Sequence, residues 1–186
     1  MNNIAALLAQ RGVAVSRFEF SYMAARRNGG KRRPPPRAET LKAEYEKALA
    51  AMRSQMRRGA GLFIGGKSLG GRVASMIAAE AHGAGSIAGL VCLGYPFHPS
   101  GKADPLRTAH LAGLTCPTLI VQGERDPFGS RPEVEAMGLS AAFSIHWVPD
   151  GDHDLGPRAA SGFTRKGNLA AAADAISEFM AQTTAR

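Results

Sequence analysis

Apolar and polar positions along the chain follow two spacings, one typical of strands and one typical of helices. Short β-prone apolar runs predict strands over residues 13–20, 61–65, 87–93, 117–122 and 143–148. Helical spacing predicts helices over residues 4–10, 39–58, 69–81, 106–114, 131–139 and 168–181. Residues 22–37 hold paired glycines and three successive prolines, which predict a loop. Strands that alternate with helices from end to end predict an α/β fold, with a mostly parallel sheet and helices on both faces.

The pattern Gly-x-Ser-x-Gly spans residues 66–70, after a predicted strand and at the start of a predicted helix. A serine on such a sharp turn has a strained backbone. We expect the glycines two positions away on either side to prevent collisions with the neighbouring strand and helix. The turn exposes the hydroxyl at a helix N-terminus, where the dipole favours developing negative charge. Ser68 is therefore the candidate nucleophile.

The same stretch has two other interpretations. Residues 61–68 read G-x-x-x-x-G-K-S, the pattern of a phosphate-binding loop. The four residues between its glycines are mostly strand formers, whereas a phosphate loop needs them to wrap backbone N–H groups around phosphates. The next predicted strand runs into residues 94–96, Gly-Tyr-Pro, where a phosphate-binding enzyme would place a magnesium-binding aspartate. The second alternative is a glycine-rich turn with no chemical role. The residues that follow two other predicted strands argue against it.

Two further strand ends carry the residues that a serine nucleophile needs. Asp126 follows the strand predicted over residues 117–122, and His153 follows the strand predicted over residues 143–148. The carboxyl ends of parallel strands share one edge of a sheet, where ligands bind. The order serine, aspartate, histidine is that of the α/β-hydrolase triad. His153 would take the serine proton, Asp126 would orient the imidazole, and the backbone N–H of Leu69 would stabilise the oxyanion.

Other residues compete for these roles or surround them. Asp150, Asp152 and Asp154 are alternatives for the acid, but they crowd His153 in sequence and are expected to shape its loop. The remaining histidines are interpreted as structural, and they are His82, His98, His110 and His146. Among them His98 is expected nearest to the site, and with Lys67 and Tyr95 it completes the predicted oxyanion and substrate-binding set. No cofactor and no metal are expected, because the aspartates beside His153 have no second His/Cys cluster at ligand spacing.

Composition places the chain among ordinary globular proteins. Its 186 residues are 45% hydrophobic and 20% charged, which suits a single domain over residues 1–186. Much of the net charge of +8 lies in a basic, proline-rich loop over residues 24–38. That loop lacks the interleaved aromatic residues that stack on bases, so no specific nucleic-acid partner is expected. Cys92 and Cys116 predict buried thiols rather than a disulfide framework, and no signal peptide or membrane span is predicted. We expect a cytoplasmic protein without a membrane partner, and a homodimer is left open.

The motifs resemble those of a known family. Matching stretches cover residues 65–72, 94–99, 122–129 and 150–155, with residues 18–20 and 32–36 in addition. They look like the small α/β-hydrolases related to testis-expressed protein 30 and to the third subunit of the NSL chromatin complex, which are distant relatives of dienelactone hydrolase. The resemblance implies an α/β-hydrolase fold with Ser68, Asp126 and His153 as the triad. It does not imply a substrate.

One departure from the family matters. Its members begin with a strand and a His-Gly-Ala-Gly-like loop before the helix that corresponds to residues 4–10. That strand lies between those corresponding here to residues 13–20 and 61–65, and the loop carries the second oxyanion donor. Relative to that family the chain is N-terminally truncated, and two alternative expectations follow. In the first, which we favour, Met1 is an internal methionine of a longer protein. In the second, the chain is truly short, residues 13–20 and 61–65 pair directly, and activity is weak or lost.

These observations lead to two functional hypotheses. The first is a serine hydrolase of the carboxylesterase or thioesterase kind, which acts on a small-molecule ester of a small acyl group. The alternative is a catalytically weak or inactive α/β-hydrolase-like module that serves as a protein-binding scaffold, as the chromatin-complex relative suggests.

Overall fold

A computed structural model of the chain describes residues 1–29, 34–57, 59–99 and 107–185. Within these residues the strands form a parallel sheet in the order β1-β2-β3-β4, which is also their order along the chain. The strands are β1 (Phe63–Lys67), β2 (Gly89–Leu93), β3 (Thr118–Gly123) and β4 (Phe143–Val148). Because all four run the same way, their carboxyl ends lie along one edge of the sheet.

Helices connect and flank these strands. They are α1 (Asn2–Ala9), α2 (Ser21–Arg27), α3 (Lys42–Gln55), α4 (Leu69–Gly83), α5 (Arg131–Glu135) and α6 (Arg165–Thr184). Short 3₁₀ turns cover Ala38–Leu41 and Ala109–Leu111. No helix in the described residues is long and apolar enough to cross a membrane.

The sheet buries a hydrophobic cluster on each face. Along β2, Leu90 and Cys92 pack into the cluster that includes α3 and α4, whereas Leu93 packs into the cluster that includes α1 and α6. Successive strand residues point to opposite faces, which is why one strand supplies both clusters. The predicted α/β architecture with helices on both faces is therefore confirmed.

The predicted strand over residues 13–20 is wrong. The segment forms no strand, although several of its residues are apolar and β-prone. Phe18 and Phe20 instead pack against the ring of Tyr45 on α3, with the Phe18 and Tyr45 ring centroids 5.0 Å apart. A ladder needs strands about 4.8 Å apart. The tyrosine ring lies between this segment and β1, so direct pairing of residues 13–20 with residues 61–65 does not occur.

Tyr45 also occupies the outer edge of β1. Ala88 N–H donates to Leu62 O and Ser68 N–H donates to Leu93 O, so the even-numbered residues of this stretch face β2. The peptide groups of Gly65 therefore face away from β2. The Tyr45 hydroxyl donates to Gly65 O at 2.6 Å and accepts from Gly65 N–H at 2.9 Å. Burial raises the pKa of Tyr45, so the phenol keeps the proton it donates.

The loop predicted over residues 22–37 is also wrong in its first part, where α2 forms. The glycines and prolines of that stretch begin only at Gly29, and the residues before them favour a helix. The Glu44 carboxylate accepts from Ser21 N–H and from the Ser21 hydroxyl at 2.8 Å each, which satisfies a donor at the start of α2. Residues 30–33 of the basic loop and residues 100–106, which include the predicted start of a helix at 106, lie outside the described residues.

We expect Tyr45→Phe to lower the free energy of unfolding by about 1–3 kcal/mol, because it removes the partner of two backbone groups at once. Urea unfolding with an unchanged m-value would measure the loss. Tyr22→Phe is the matched control, since its ring stacks on Phe20 in the same aromatic group, and we expect it to cost less. An equal loss in both variants would contradict the role assigned to the Tyr45 hydroxyl.

Candidate active site

Ser68 occupies a strained turn between β1 and α4. Its backbone angles are φ 52° and ψ −121°, a conformation that L residues rarely adopt. Ser68 N–H donates to Leu93 O at 2.9 Å, and Ser68 O accepts from Arg72 N–H at 3.0 Å. These two bonds hold the turn between the end of β2 and the first turn of α4. Such strain is typical of a nucleophile elbow, which projects the serine side chain beyond the sheet.

The glycines around Ser68 are needed at positions that differ in part from those expected. A Cβ added to Gly66 would lie 2.6 Å from the backbone carbon of Gly70, so the expectation for Gly66 is confirmed. A Cβ added to Gly70 would meet nothing within 4 Å, so the expected collision there is wrong. Gly71 is the tight position on the helix, because its Cβ would lie 2.8 Å from Gly66 O and 3.2 Å from Cys92 Sγ.

We therefore expect Gly66→Ala and Gly70→Ala to differ in sign. Gly66→Ala forces backbone against backbone and should destabilise the protein by about 1–3 kcal/mol. Gly70→Ala adds a methyl group in open space within a helix and should be neutral or stabilising by up to about 1 kcal/mol. Urea unfolding of both variants measures the difference. Equal destabilisation would contradict the steric account of the turn.

Asp126 and His153 are directly hydrogen-bonded. His153 Nδ1–H donates to Asp126 Oδ2 at 2.8 Å, and Asp126 is 0% exposed. Two more donors reach the same carboxylate: Gln122 Nε2–H on Oδ2 at 3.0 Å and Phe128 N–H on Oδ1 at 2.9 Å. A buried carboxylate requires such partners to remain charged. With Nδ1 protonated toward Asp126, the other nitrogen of the imidazole is free to accept a proton.

His153 lies over the end of β2, beside the anchor of the serine turn. A Cβ on Gly94, which has φ +57°, would lie 3.2 Å from His153 Nδ1 and 2.8 Å from His153 O. Glycine at this position therefore leaves the space that the histidine loop occupies. The Phe128 ring packs against the His153 imidazole, with the two ring centroids 4.6 Å apart. Because Ser68 bonds to Leu93, the neighbour of Gly94, the serine turn and the bonded pair of His153 and Asp126 lie at the same edge of the sheet.

Asp150, one of the competing acids, has partners of its own. Its Oδ1 accepts from Arg125 Nε at 2.8 Å and from Arg158 Nε at 2.8 Å, and its backbone N–H donates to Glu124. The hydrogen bonds from Arg158 lower the pKa of Asp150 to about 2, with a further contribution from Arg125. This cluster ties the loop that carries Asp126 to the loop that carries His153.

Asp152 and Asp154 are engaged as well. Asp152 Oδ1 accepts from the backbone N–H groups of Asp154 and Gly156 at 2.8 Å each. Asp154 Oδ1 lies 2.7 Å from Lys67 Nζ, and this partner lowers the pKa of Asp154. Lys67 was predicted in the oxyanion and substrate-binding set. It precedes Ser68, and its ion pair with Asp154 links the serine turn to the residue after His153.

A cavity of about 260 Å³ opens beside these residues. The N-terminal residues of α1 and α6 border it, and its other lining residues include Lys67, Leu93, His153, Asp154, Leu155 and Leu169. Its lining combines apolar side chains with a few charged ones next to the imidazole, as is typical of small-molecule sites. In the described residues, no group of three or more His, Cys, Asp and Glu side chains could hold a metal ion.

The other predicted site residues lie in different surroundings. Leu69 is the first residue of α4, so its N–H has no acceptor within the helix and is directed outward beside Ser68. Tyr95 is 1% exposed, and its hydroxyl is directed into the interior. His98 is buried, donates from Nδ1 to Pro99 O at 2.8 Å and has Nε2 3.6 Å from Glu133.

Tyr95 belongs to a second group that pairs a serine with a histidine. Ser75 Oγ donates to Arg72 O at 2.7 Å, and it lies 3.0 Å from Tyr95 Oη and 2.8 Å from His110 Nε2. The single hydroxyl proton is used on the carbonyl, so Tyr95 and His110 act as donors to Ser75. Burial lowers the pKa of His110, which keeps that ring neutral. The sequence predicted neither this network nor the hydrogen bond from Gln122 to Asp126. The network joins side chains far apart in the chain, and the bond from Gln122 depends on how the turn after β3 folds back on the strand.

Comparison with known proteins places this arrangement in a family. A family model described as "Alpha/beta hydrolase domain" matches residues 1–181. The chain is similar in structure to the esterase domain of a Rhodothermus marinus protein, with a TM-score of 0.64 and 16% identity, covering 97% of this chain and 79% of that chain. It is also similar to an α/β serine hydrolase homologue from Coxiella burnetii, with a TM-score of 0.54 and 16% identity, covering 95% and 76%.

A third similar structure is a cold-adapted esterase from an Arctic intertidal metagenomic library, with a TM-score of 0.56 and 17% identity, covering 96% of this chain and 77% of that chain. At such identities the likeness concerns the fold. The family model matches nearly the whole chain, and the parallel sheet and the strained serine turn agree with it. The chain therefore belongs to the α/β-hydrolase family.

Proposed function

We propose that the protein is a serine hydrolase that cleaves esters of small acyl groups, with Ser68 as nucleophile, His153 as general base and Asp126 as the acid. One observation carries the proposal: the buried Asp126 carboxylate holds His153 at 2.8 Å, beside a serine in a strained strand-to-helix turn. A serine hydroxyl needs a neighbouring base to become a nucleophile, and an imidazole oriented by a carboxylate supplies it.

The chemistry follows from these positions. His153 Nε2 accepts the Ser68 proton as Oγ attacks the ester carbonyl carbon, and the carbonyl oxygen becomes an oxyanion. The protonated imidazole then gives that proton to the leaving alcohol or thiol as the carbon–oxygen or carbon–sulfur bond breaks. A water molecule attacks the resulting acyl-serine by the same steps in reverse, which releases the acid and restores Ser68.

The oxyanion is stabilised at the start of α4. The N–H of Leu69 is an outward-facing donor directly after Ser68, and the positive end of the helix dipole adds to its effect. Lys67 is held in an ion pair with Asp154, so we assign it to fixing the serine turn against the histidine loop. Leu69 is thus the donor that the proposal relies on.

The cavity and the similar proteins support a small ester substrate. A volume of about 260 Å³ is slightly below the roughly 300–1,000 Å³ of ordinary ligand sites. The solved structures similar to this chain include proteins described as esterases. Within the family, the motifs at residues 65–72, 122–129 and 150–155 support kinship with the small enzymes related to testis-expressed protein 30.

The proposal is tested by labelling with a fluorophosphonate probe, followed by peptide mass spectrometry, and by turnover of p-nitrophenyl acetate and a panel of short-chain esters and thioesters. We expect the label on Ser68 and faster turnover of short acyl groups than of long ones. A folded protein that neither labels nor hydrolyses any member of the panel would favour the alternative, a partner-binding module with an α/β-hydrolase fold.

A further inference from the structure

Gln122 is a fully buried amide at the end of β3, with 0% exposure. Its Oε1 accepts from Tyr95 N–H at 2.7 Å. Its Nε2 donates to Asp126 Oδ2 at 3.0 Å, and it also lies 3.2 Å from Tyr95 O and 3.1 Å from Gly129 O. The reversed amide would direct an oxygen at three acceptors, so only this orientation satisfies the contacts. Every polar atom of this side chain is therefore used.

These bonds join three segments that meet at the proposed site. Tyr95 follows β2, Asp126 lies in the turn after β3, and Gly129 lies just before α5. His153 packs on Gly94, the neighbour of Tyr95, and bonds to Asp126. One amide thus fixes the distance between the carboxylate and the strand end that supports the imidazole. A satisfied buried network of this kind restricts its members to a single arrangement.

Asp126 Oδ2 is shared between two donors. It accepts from Gln122 Nε2 and from His153 Nδ1, at 3.0 and 2.8 Å. A donor that satisfies part of the carboxylate charge weakens its hold on a second donor. The other charged groups of the adjoining cavity are the N-terminal amine of Met1, Lys67, Asp154 and Arg165, and none of them bonds to the Asp126 carboxylate.

We propose that Gln122 is a positioning residue for the hydrolytic reaction, which aims the Asp126 carboxylate at His153 and moderates its basicity. The inference rests on the proposed function of Ser68, Asp126 and His153. Gln122 contacts neither the serine nor the cavity, so it acts through Asp126. Without the Gln122 N–H, Asp126 Oδ2 accepts from His153 alone, so the bond to His153 becomes stronger and the imidazolium is stabilised. The carboxylate also loses one of the bonds that fix its orientation.

The test uses the full chain with Gln122→Met, which keeps the length and removes the amide, and with Gln122→Asn, which withdraws the amide from Asp126. We expect kcat for p-nitrophenyl acetate to fall about 10- to 100-fold with KM changed less than about threefold. The acidic limb of kcat/KM should move up by about 0.5–1 pH unit. The low-field proton resonance of the His153–Asp126 hydrogen bond should move further downfield in both variants. If Gln122→Met does not fold, the same measurements on Gln122→Asn test the inference.

A double-mutant cycle with Asp126→Asn separates positioning from packing. Gln122→Met should cost little further activity in the Asp126→Asn background, because its effect passes through that carboxylate. An equal fold-loss in both backgrounds, or an unmoved acidic limb and resonance in folded variants, would overturn the inference. Absence of probe labelling at Ser68 in the unmutated chain would instead overturn the proposed function, whereas the proton resonance needs no turnover and still tests Gln122.

Discussion

Ser68→Ala is expected to lower hydrolysis of p-nitrophenyl acetate by about 10⁴- to 10⁶-fold and to abolish fluorophosphonate labelling. The alanine cannot form the acyl intermediate, and only binding and oxyanion stabilisation remain. The matched control is Ser75→Ala, which removes a serine hydroxyl that lies 2.8 Å from His110 Nε2. We expect that variant to keep its label.

The expected contrast has a physical basis in the two serines. Ser75 is 3% exposed and gives its proton to Arg72 O, so its oxygen can neither reach a substrate nor lose its proton to His110. Ser68 is held in a left-handed backbone conformation at the carboxyl end of β1, next to the loop of His153. Strain of this kind costs folding free energy, of order 1–3 kcal/mol, and tends to persist where function uses it.

Rates should be measured with protein at equal folded fraction, since Ser75→Ala leaves Tyr95 and His110 without their shared acceptor and should cost some stability. Labelled peptides identify the modified residue directly. Retained labelling in Ser68→Ala, or loss of labelling in a folded Ser75→Ala variant, would indicate that Ser75 is the nucleophile.

The site could be anticipated from the sequence because its parts lie at strand ends. β1, β3 and β4 were predicted within two residues of their bounds, and each is followed by one of Ser68, Asp126 and His153. In a parallel sheet the register brings such ends together without any knowledge of side-chain contacts. Local patterns were therefore enough for the candidate residues and for the two faces of the sheet.

The features that the sequence did not predict depend on three-dimensional contacts that no local pattern shows. Residues 13–20 carry a strand pattern, yet no ladder partner faces them, and Tyr45 fills the space beside β1. Gly70 and Gly71 are adjacent glycines that the sequence does not distinguish. Only Gly71 is crowded, because Gly66 O and Cys92 lie close to it. Gln122 precedes a glycine at a strand end like any polar residue, and its role emerges only from the positions of Tyr95 and Asp126.

Asp126, the carboxylate that orients His153, is the second residue whose replacement should have a large effect. We expect Asp126→Asn to lower kcat by about 10⁴-fold while the protein stays folded. Phe128 N–H requires an oxygen at the Oδ1 position, so the new amide nitrogen takes the place of Oδ2. It would then donate to His153 Nδ1, which moves the imidazole proton to Nε2 and leaves no base for Ser68. The same nitrogen faces Gln122 Nε2, a donor against a donor.

Asp154→Asn is the matched control, because it changes a carboxylate beside His153 in sequence without touching the imidazole. It removes the 2.7 Å ion pair between Asp154 and Lys67. Both side chains are partly exposed, so we expect kcat to fall less than about tenfold. Steady-state kinetics and probe labelling rates of the two variants, read with their unfolding curves, measure the contrast. A larger loss in Asp154→Asn would assign the acid to Asp154 and would require the histidine loop to rotate away from Asp126 during turnover.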